Sequence, residues 1–186
     1  MFAARDQDSA LEDYLGTLFA PGALGAVAAA ESANDAPLRI VRFRVGTMSF
    51  ALPSDAVKRV VPLREVTFVP RAGMATMAAW HGQAFHVVDL LALVIPAAHP
   101  QRKPLLAAQN PQVMLVLDAG WTQHGGYAIL CDAWHGVSDV APGQLCPHTD
   151  TTSYRWLTAT FADGSGALLN SRELVADIPA VRAAGG

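Results

Sequence analysis

The sequence predicts a mostly β protein built as a small barrel or as two paired barrels. Short apolar stretches recur every 8–12 residues and are separated by glycine and proline, a pattern typical of small barrels. Hydrophobic residues make up 52% of the 186 residues and charged residues only 16%. A chain of this length and composition can bury roughly 70% of the surface that its unfolded form exposes. It is therefore predicted to fold around a sizeable core.

Composition and charge argue against several function classes. The net charge is −3 and the sequence contains no basic run, so nucleic acid is not an expected partner. The most apolar low-charge run, ALGAVAAA, is far shorter than the ~20 residues that span a bilayer. The N-terminus carries acidic residues where a signal peptide has an apolar centre. We expect a cytoplasmic protein without membrane insertion.

Residues 1–19 are predicted to form an N-terminal amphipathic segment. The apolar residues of the helix predicted over 9–19 share one face at the spacing i, i+3, i+4 and i+7: Leu11, Tyr14, Leu15 and Leu18. A helix this short is marginal alone, so this face is expected to dock. Its docking site is either its own domain or a groove on a partner. Residues 20–37 are small, polar and punctuated by Gly and Pro, which predicts a flexible linker.

The first half of the remaining chain predicts a series of strands. LRIVRFRVG alternates with a period of two, and MSFALP follows the Gly46–Thr47 turn, which predicts a hairpin. DAVKRVVPL and EVTFVP are predicted as the next strands, the former opening with a helical turn after Ser54. Residues 71–79 are predicted as a turn or short helix. QAFHVVDLLAL is predicted as a strand that runs into a helical turn.

The second half begins with a long loop. Residues 95–111 contain four prolines and are predicted to cross between two lobes. QVMLVLDAG, YAILCDAWHGV and WLTATFADGSGALLN are predicted as three further strands, each beside a glycine-containing turn. The C-terminal segment from Ser171 is predicted to begin as a short helix, with a disordered tail over 179–186.

The sequence carries no recognisable catalytic motif. A G-x-S-x-G elbow, a P-loop and a G-x-G-x-x-G after a strand are all absent, and Asp163–Gly166 is predicted as a hairpin turn. The candidate metal ligands are Cys131, His135, Cys146 and His148. Their C-x3-H-x10-C-x-H spacing matches no familiar zinc module. His81 and His86 are five apart, which points them to opposite faces of a strand unless the turn at Gly82 folds one back. His81–Gly82 is predicted as the turn of a hairpin, and Asp89 is predicted to cap a turn through backbone hydrogen bonds. We therefore expect no catalytic residue, no metal and no cofactor.

Six segments, in their order and spacing, resemble the CheW-like domain family. They are FRVGTMSFALPSDAVKRVV, AWHGQAFHVVDL, MLVLDAG, AILCDAWHGVSDV, ALLN and SREL. The resemblance covers residues 38–178. It implies two packed five-stranded SH3-like barrels with short terminal helices. It also implies a scaffold that binds the regulatory domain of a CheA-type histidine kinase, and chemoreceptor tips in a groove between the barrels.

The resemblance also implies a partner-binding surface. Its residues are Val57, Arg59, Trp80, His81, Gly82, His86 and Asp89. Several positions depart from the family pattern: Trp80-His81-Gly82 stands where the family has Leu-Arg-Gly, and Arg59 where it often has Glu. His86 replaces a proline and Asn170 an aspartate. A histidine cannot match the permanent charge and forked donors of arginine, which argues against receptor-tip binding in the family's usual manner.

A subset of the family, the ParP-type proteins, places chemosensory arrays at the cell pole and carries an N-terminal segment and linker. The chain resembles this subset in WHGQAFHVVDLLALVIP, RWLTATFADGSGALLN and the acidic-apolar segment ALEDYLGTLF. A polar-localisation partner for residues 9–19 is thus one hypothesis. The alternatives are an ordinary CheW coupling protein that links receptors to the kinase, an SH3-like binding module outside chemotaxis, and a small metal-dependent or thiol enzyme.

Overall fold

The computed structural model describes residues 36–69, 77–95, 98–100, 102, 109–118, 126–149 and 154–176. Within these ranges the chain forms twelve strands and two short α-helices. The strands are β1 (Leu38–Val45), β2 (Met48–Pro53), β3 (Val57–Pro62), β4 (Thr67–Val69), β5 (Met77–Trp80), β6 (Gln83–Val88), β7 (Val113–Leu117), β8 (Gly126–Cys131), β9 (Ala133–Val140), β10 (Leu145–Pro147), β11 (Leu157–Phe161) and β12 (Ala167–Leu169). The helices are α1 (Leu90–Val94) and α2 (Ser171–Ala176).

The strands form two six-stranded sheets, which confirms the predicted mostly β fold. The terminal sheet has the order β10-β11-β12-β2-β1-β9, and the middle sheet has the order β3-β7-β8-β6-β5-β4. In each sheet the two outermost strands are consecutive in the chain and are joined by a 3₁₀ turn, Pro142–Gln144 or Leu63–Glu65. Each turn is followed by a strand of only three residues, β10 or β4. This short strand explains why each sheet has six strands and not the five that the resemblance implies.

The two sheets share one connectivity that the sequence does not reveal as a repeat. In both sheets an outermost strand is followed along the chain by a 3₁₀ turn and then by an antiparallel pair of strands. The next strand has a parallel neighbour: β6 lies beside β8, and β12 lies beside β2. A short helix then follows in each. The Asp89 carboxylate accepts a hydrogen bond from the Ala92 N–H at 3.0 Å, and the Asn170 side chain accepts one from the Arg172 N–H at 3.1 Å. The predicted capping role of Asp89 is therefore confirmed.

Buried side chains form three clusters, and the largest lies between the sheets. This central core contains residues from both sheets and both helices, among them Phe43, Leu115 and Ile129. A smaller cluster around Ile40 and Phe161 belongs to the terminal sheet alone. A third cluster, which includes Phe85, belongs to the middle sheet alone. Alternate residues of one strand thus point into different cores, as the two faces of a pleated strand require.

The structure corrects three sequence predictions. Residues 77–79 lie in β5, because pairing with β4 and β6 outweighs the weak local preference for a turn or short helix. The loop over 95–111 does not cross between lobes, since the strands before and after it, β6 and β7, belong to the same sheet. YAILCDAWHGV is two strands, not one: β8 lies in the middle sheet and β9 in the terminal sheet.

Asp132 is the single residue between β8 and β9, and it ties the two sheets together. Its carboxylate accepts hydrogen bonds from the backbone N–H groups of Gly46, in the β1–β2 turn, and of Asn110, before β7. Its own N–H donates to the Arg44 carbonyl at 2.8 Å. These bonds fix the point at which the chain passes from one sheet to the other. No local sequence pattern predicts this role of Asp132, because its partners lie far away in the chain.

The shared core predicts that the two sheets unfold together. Leu115→Ala should lower the free energy of unfolding by about 2–5 kcal/mol, because Leu115 is fully buried in the central core. Urea unfolding should show one transition, at a lower midpoint, by both fluorescence and circular dichroism. Val69→Ala is the control: this side chain is 50% exposed, so its effect should stay within about 0.5 kcal/mol. Two separate transitions would contradict a shared core.

Candidate protein-binding surfaces

Three of the predicted binding residues, from β3, β5 and the β5–β6 turn of the middle sheet, contact one another. The Arg59 guanidinium on β3 lies 5.4 Å from the centroid of the Trp80 ring. The His81 ring lies 4.5 Å from the same ring, centroid to centroid, in an edge-to-face arrangement. Trp80 is half-buried against the core of the middle sheet, so the cation–π contact closes that core. We call Arg59, Trp80 and His81 the Arg59 cluster.

The backbone of the β5–β6 turn sets the position of His81. His81 and Gly82 both have positive φ, 48° and 76°, and they lie between the paired residues Trp80 and Gln83. This is the pattern of a two-residue type I′ turn, so the predicted hairpin turn is confirmed. Among the described residues, His81 is the only non-glycine with positive φ. The turn leaves the His81 side chain exposed beside Trp80.

Gly82 lies in the same turn as His81, whereas Val57, His86 and Asp89 contact other parts of the structure. Val57 is partly buried and packs against the central core. His86 stacks on Tyr127, with ring centroids 5.5 Å apart. Asp89 caps α1, and the length of β6, about 20 Å, separates it from the His81 turn. The predicted N-terminal docking residues, Leu11, Tyr14, Leu15 and Leu18, lie outside the described residues.

Exposed apolar side chains mark two surfaces that the sequence analysis did not assign. Val60 on β3 and Phe68 and Val69 on β4 are 36%, 37% and 50% exposed, and we call this set of exposed residues on the two outermost strands the β3–β4 patch. Trp134 and Val137 on β9 are 46% and 48% exposed, and we call them the Trp134 strip. Both surfaces lie on the outermost strands of their sheets. A sequence gives the apolar residues but not the sheet order, so it could not show which strands are outermost.

The β3–β4 patch has a mainly basic border. The exposed charged residues of β3 and of the following 3₁₀ turn are Lys58, Arg59, Arg64 and Glu65. Arg59 belongs to the Arg59 cluster and directly precedes Val60 of the β3–β4 patch on β3, so the patch and the cluster share this strand. An apolar centre with a charged border is the usual anatomy of a protein interface.

Local hydrogen bonds and a close backbone contact shape the glycine-rich β11–β12 turn. The Ser165 hydroxyl and the Ser165 N–H, the latter at 2.9 Å, both donate to the Asp163 carboxylate, and these bonds lower the pKa of Asp163. A side chain at Gly166 would place its Cβ 2.5 Å from the Ser49 carbonyl oxygen. Glycine is therefore required there by the close approach of β2.

The candidate metal ligands do not converge. Cys131 is fully buried in the central core, whereas His135 is exposed on β9. In the described ranges, no group of three or more His, Cys, Asp or Glu side chains is placed to hold a metal ion. Burial, with a smaller contribution from the Asp132 charge, raises the pKa of the Cys131 thiol to about 12.

No helix within the described part of the chain is long and apolar enough to cross a membrane.

The His81–Gly82 turn predicts a backbone cost that can be separated from packing. Gly82→Ala should lower the free energy of unfolding by about 1–2 kcal/mol, because φ is +76° although the space around its Cβ position is open. Gly143→Ala is the matched control, since its Cβ position is equally open and its φ is not in the left-handed region. That variant should be neutral or slightly stabilising in urea unfolding. Equal losses in the two variants would contradict this explanation.

The pKa of Cys131 predicts an unreactive thiol. At pH 8 only about one Cys131 in ten thousand is a thiolate, so the folded protein should react rapidly with Ellman's reagent at Cys146 alone. Cys146→Ser should leave no fast thiol in the folded protein and one in denaturant. Because folding raises this pKa, the stability that Cys131 contributes is complete below its unfolded value and is lost as pH rises toward 12. Rapid modification of folded Cys146→Ser would contradict the burial of Cys131.

Comparison with known proteins identifies the family. The model of the CheW-like domain matches residues 39–178. Among solved structures, the scaffolding protein TtCheW from Thermoanaerobacter tengcongensis is similar, with a TM-score of 0.53 and 15% sequence identity. That match covers 72% of this chain and 89% of the other, and at this identity it supports the fold alone. The comparison with curated proteins gives no match. The family-model match spans most of the chain, and the chain therefore belongs to the CheW-like domain family of non-enzymatic chemotaxis scaffold and coupling proteins.

Proposed function

We propose that this protein is a cytoplasmic, non-enzymatic adaptor of a bacterial chemosensory array, and that it binds the regulatory domain of a CheA-type histidine kinase. The observation that carries the proposal is the β3–β4 patch beside the Arg59 cluster, on a domain of a scaffold and coupling family. The patch offers exposed apolar residues, mainly basic neighbours on β3 and the following 3₁₀ turn, and two outermost strands.

The chemistry of this surface suits a protein partner. Trp and Arg are the side chains most enriched among residues that dominate binding energy, and Arg59 holds the Trp80 ring in one position before any partner arrives. Fixing this pair in advance reduces the side-chain entropy lost on binding. All three residues of β4 are exposed, and β4 pairs only with β5 among the described strands. A partner strand can therefore add to its free edge.

Receptor-tip binding is a second part of the proposal, subordinate to kinase binding. The family motif has an arginine where this chain has His81, and the type I′ turn holds that side chain exposed beside Trp80. A histidine lacks the permanent charge and forked donors of arginine, so a carboxylate on a receptor tip would bind more weakly there. The third part of the proposal is ParP-type placement of arrays, through a partner that binds residues 9–19 when this segment is not held by its own domain.

Kinase binding is tested by calorimetry with the full chain and the isolated regulatory domain of a CheA-type kinase. We expect Phe68→Asp and Arg59→Glu each to raise the dissociation constant at least about tenfold. This corresponds to a loss of about 1.4 kcal/mol of binding free energy. Arg172→Glu is the control for charge reversal, because Arg172 is exposed on α2. Normal binding by both patch variants would show that the kinase uses another surface. No binding by the unaltered chain would refute the proposed function.

A receptor-tip fragment serves as the second titrant in the same experiment. Binding to the kinase domain but not to the tip supports an adaptor of the ParP kind, and binding to both supports an ordinary coupling protein. His81→Arg restores the family residue at the exposed turn and should strengthen binding to the tip. Unchanged tip affinity in this variant would mean that the His81 turn no longer faces receptors.

A further inference from the structure

We propose that the N-terminal segment, residues 9–19, docks on the Trp134 strip of its own chain. The site is the outward part of β9, the outermost strand of the terminal sheet. The occupant is the apolar face of the amphipathic pattern in 9–19. This contact goes beyond kinase binding, because it would make the strip unavailable to other proteins while the segment is bound.

A β-bulge creates the strip. Trp134 pairs with Phe43 and Gly136 pairs with Arg42, so His135 is an extra residue in β9, and Gly136 has a φ of +95°. Without the bulge, Trp134 and Val137 would point to opposite faces, because they are three residues apart. With it, they lie beside Phe43 and Val41, which share one face of β1.

The strip lies on the same face of the terminal sheet as buried residues of β1, but it is exposed to solvent. Phe43 is fully buried in the central core and Val41 is only 4% exposed, whereas Trp134 and Val137 on the next strand are about half exposed. The sheet face is thus covered over β1 and open over β9. Exposed apolar groups placed in this way on an outermost strand are typical of a docking surface.

The point where the N-terminal region joins the domain favours its own segment as the occupant. Leu38, the first residue of β1, pairs with Val140 at the end of β9, so the linker joins the domain at the end of the strand that carries the strip. The distance along β9 from Val140 to Trp134 is about 20 Å. The root-mean-square span of a flexible linker of the length of residues 20–37 is about 21–25 Å.

The linker span is similar to the distance from Val140 to Trp134, so residues 9–19 can reach the strip of their own chain. A short flexible linker whose span fits the distance gives an effective concentration in the millimolar range. A contact too weak to detect between separate molecules is then populated within one chain. Leu11, Tyr14, Leu15 and Leu18 supply an apolar face, which a marginal helix needs to bury in order to be stable.

The test uses fluorine NMR of the full chain labelled with fluorotryptophan. The resonance of Trp134 is assigned as the one that is missing from the spectrum of the Trp134→Phe variant. Leu15→Asp should move this resonance to a solvent-exposed position and leave those of Trp80, Trp121 and Trp156 unchanged. Leu24→Asp is the matched control, because it makes the same substitution in the predicted linker. On the strip, Val137→Asp should release the segment, whereas Val69→Asp, at a valine of similar exposure on β4, should not.

Two results would overturn the proposal. An unchanged Trp134 resonance in Leu15→Asp would mean that the segment does not cover the strip. A Leu15-dependent resonance that varies with protein concentration would mean that the segment covers the strip of a second copy. The measurement involves no kinase, so its outcome is independent of whether the proposed function holds.

Discussion

The central core between the two sheets is the constraint on which the rest of the structure depends. Each barrel has only a small cluster of its own, formed around Ile40 and Phe161 in one and Phe85 in the other. Small domains bury too little surface to be stable alone, whereas the shared core adds large side chains from both sheets. The two barrels therefore form one cooperative unit. Asp132 fixes the crossing between them by binding backbone groups on both sides.

This arrangement explains where binding surfaces can lie. The side chains in the central core and in the two smaller clusters are buried, so the exposed apolar residues on the outermost strands are candidates for contact with a partner. Each sheet also carries a cation–π contact: the Arg59 guanidinium lies over Trp80 in one, and the Arg42 guanidinium is 4.4 Å from the Phe161 ring centroid in the other. Both aromatic residues end a strand just before a hairpin turn, at equivalent places in the two sheets.

Local backbone exceptions give these surfaces their shape. The type I′ turn holds the His81 side chain beside Trp80, and the bulge at Gly136 brings Trp134 and Val137 to one face. Neither feature contributes much apolar burial. Each changes the direction of a side chain. A rigid β scaffold can expose different surfaces to different partners in this way. The fold is thus common to the family, whereas the surfaces are set by a few turn and bulge residues.

The sequence by itself determined the mostly β class, the hairpin at Gly46, the His81–Gly82 turn and the cap at Asp89, because each depends on residues close together in the chain. The resemblance added the family, which the match over 39–178 shows. Only the tertiary structure decided that β8 and β9 belong to different sheets, that Val57, His86 and Asp89 lie away from the Arg59 cluster, and that β4 and β9 are outermost. Those features depend on pairing between distant strands, and an apolar strand carries the same local signal whether it lies at the centre or the edge of a sheet.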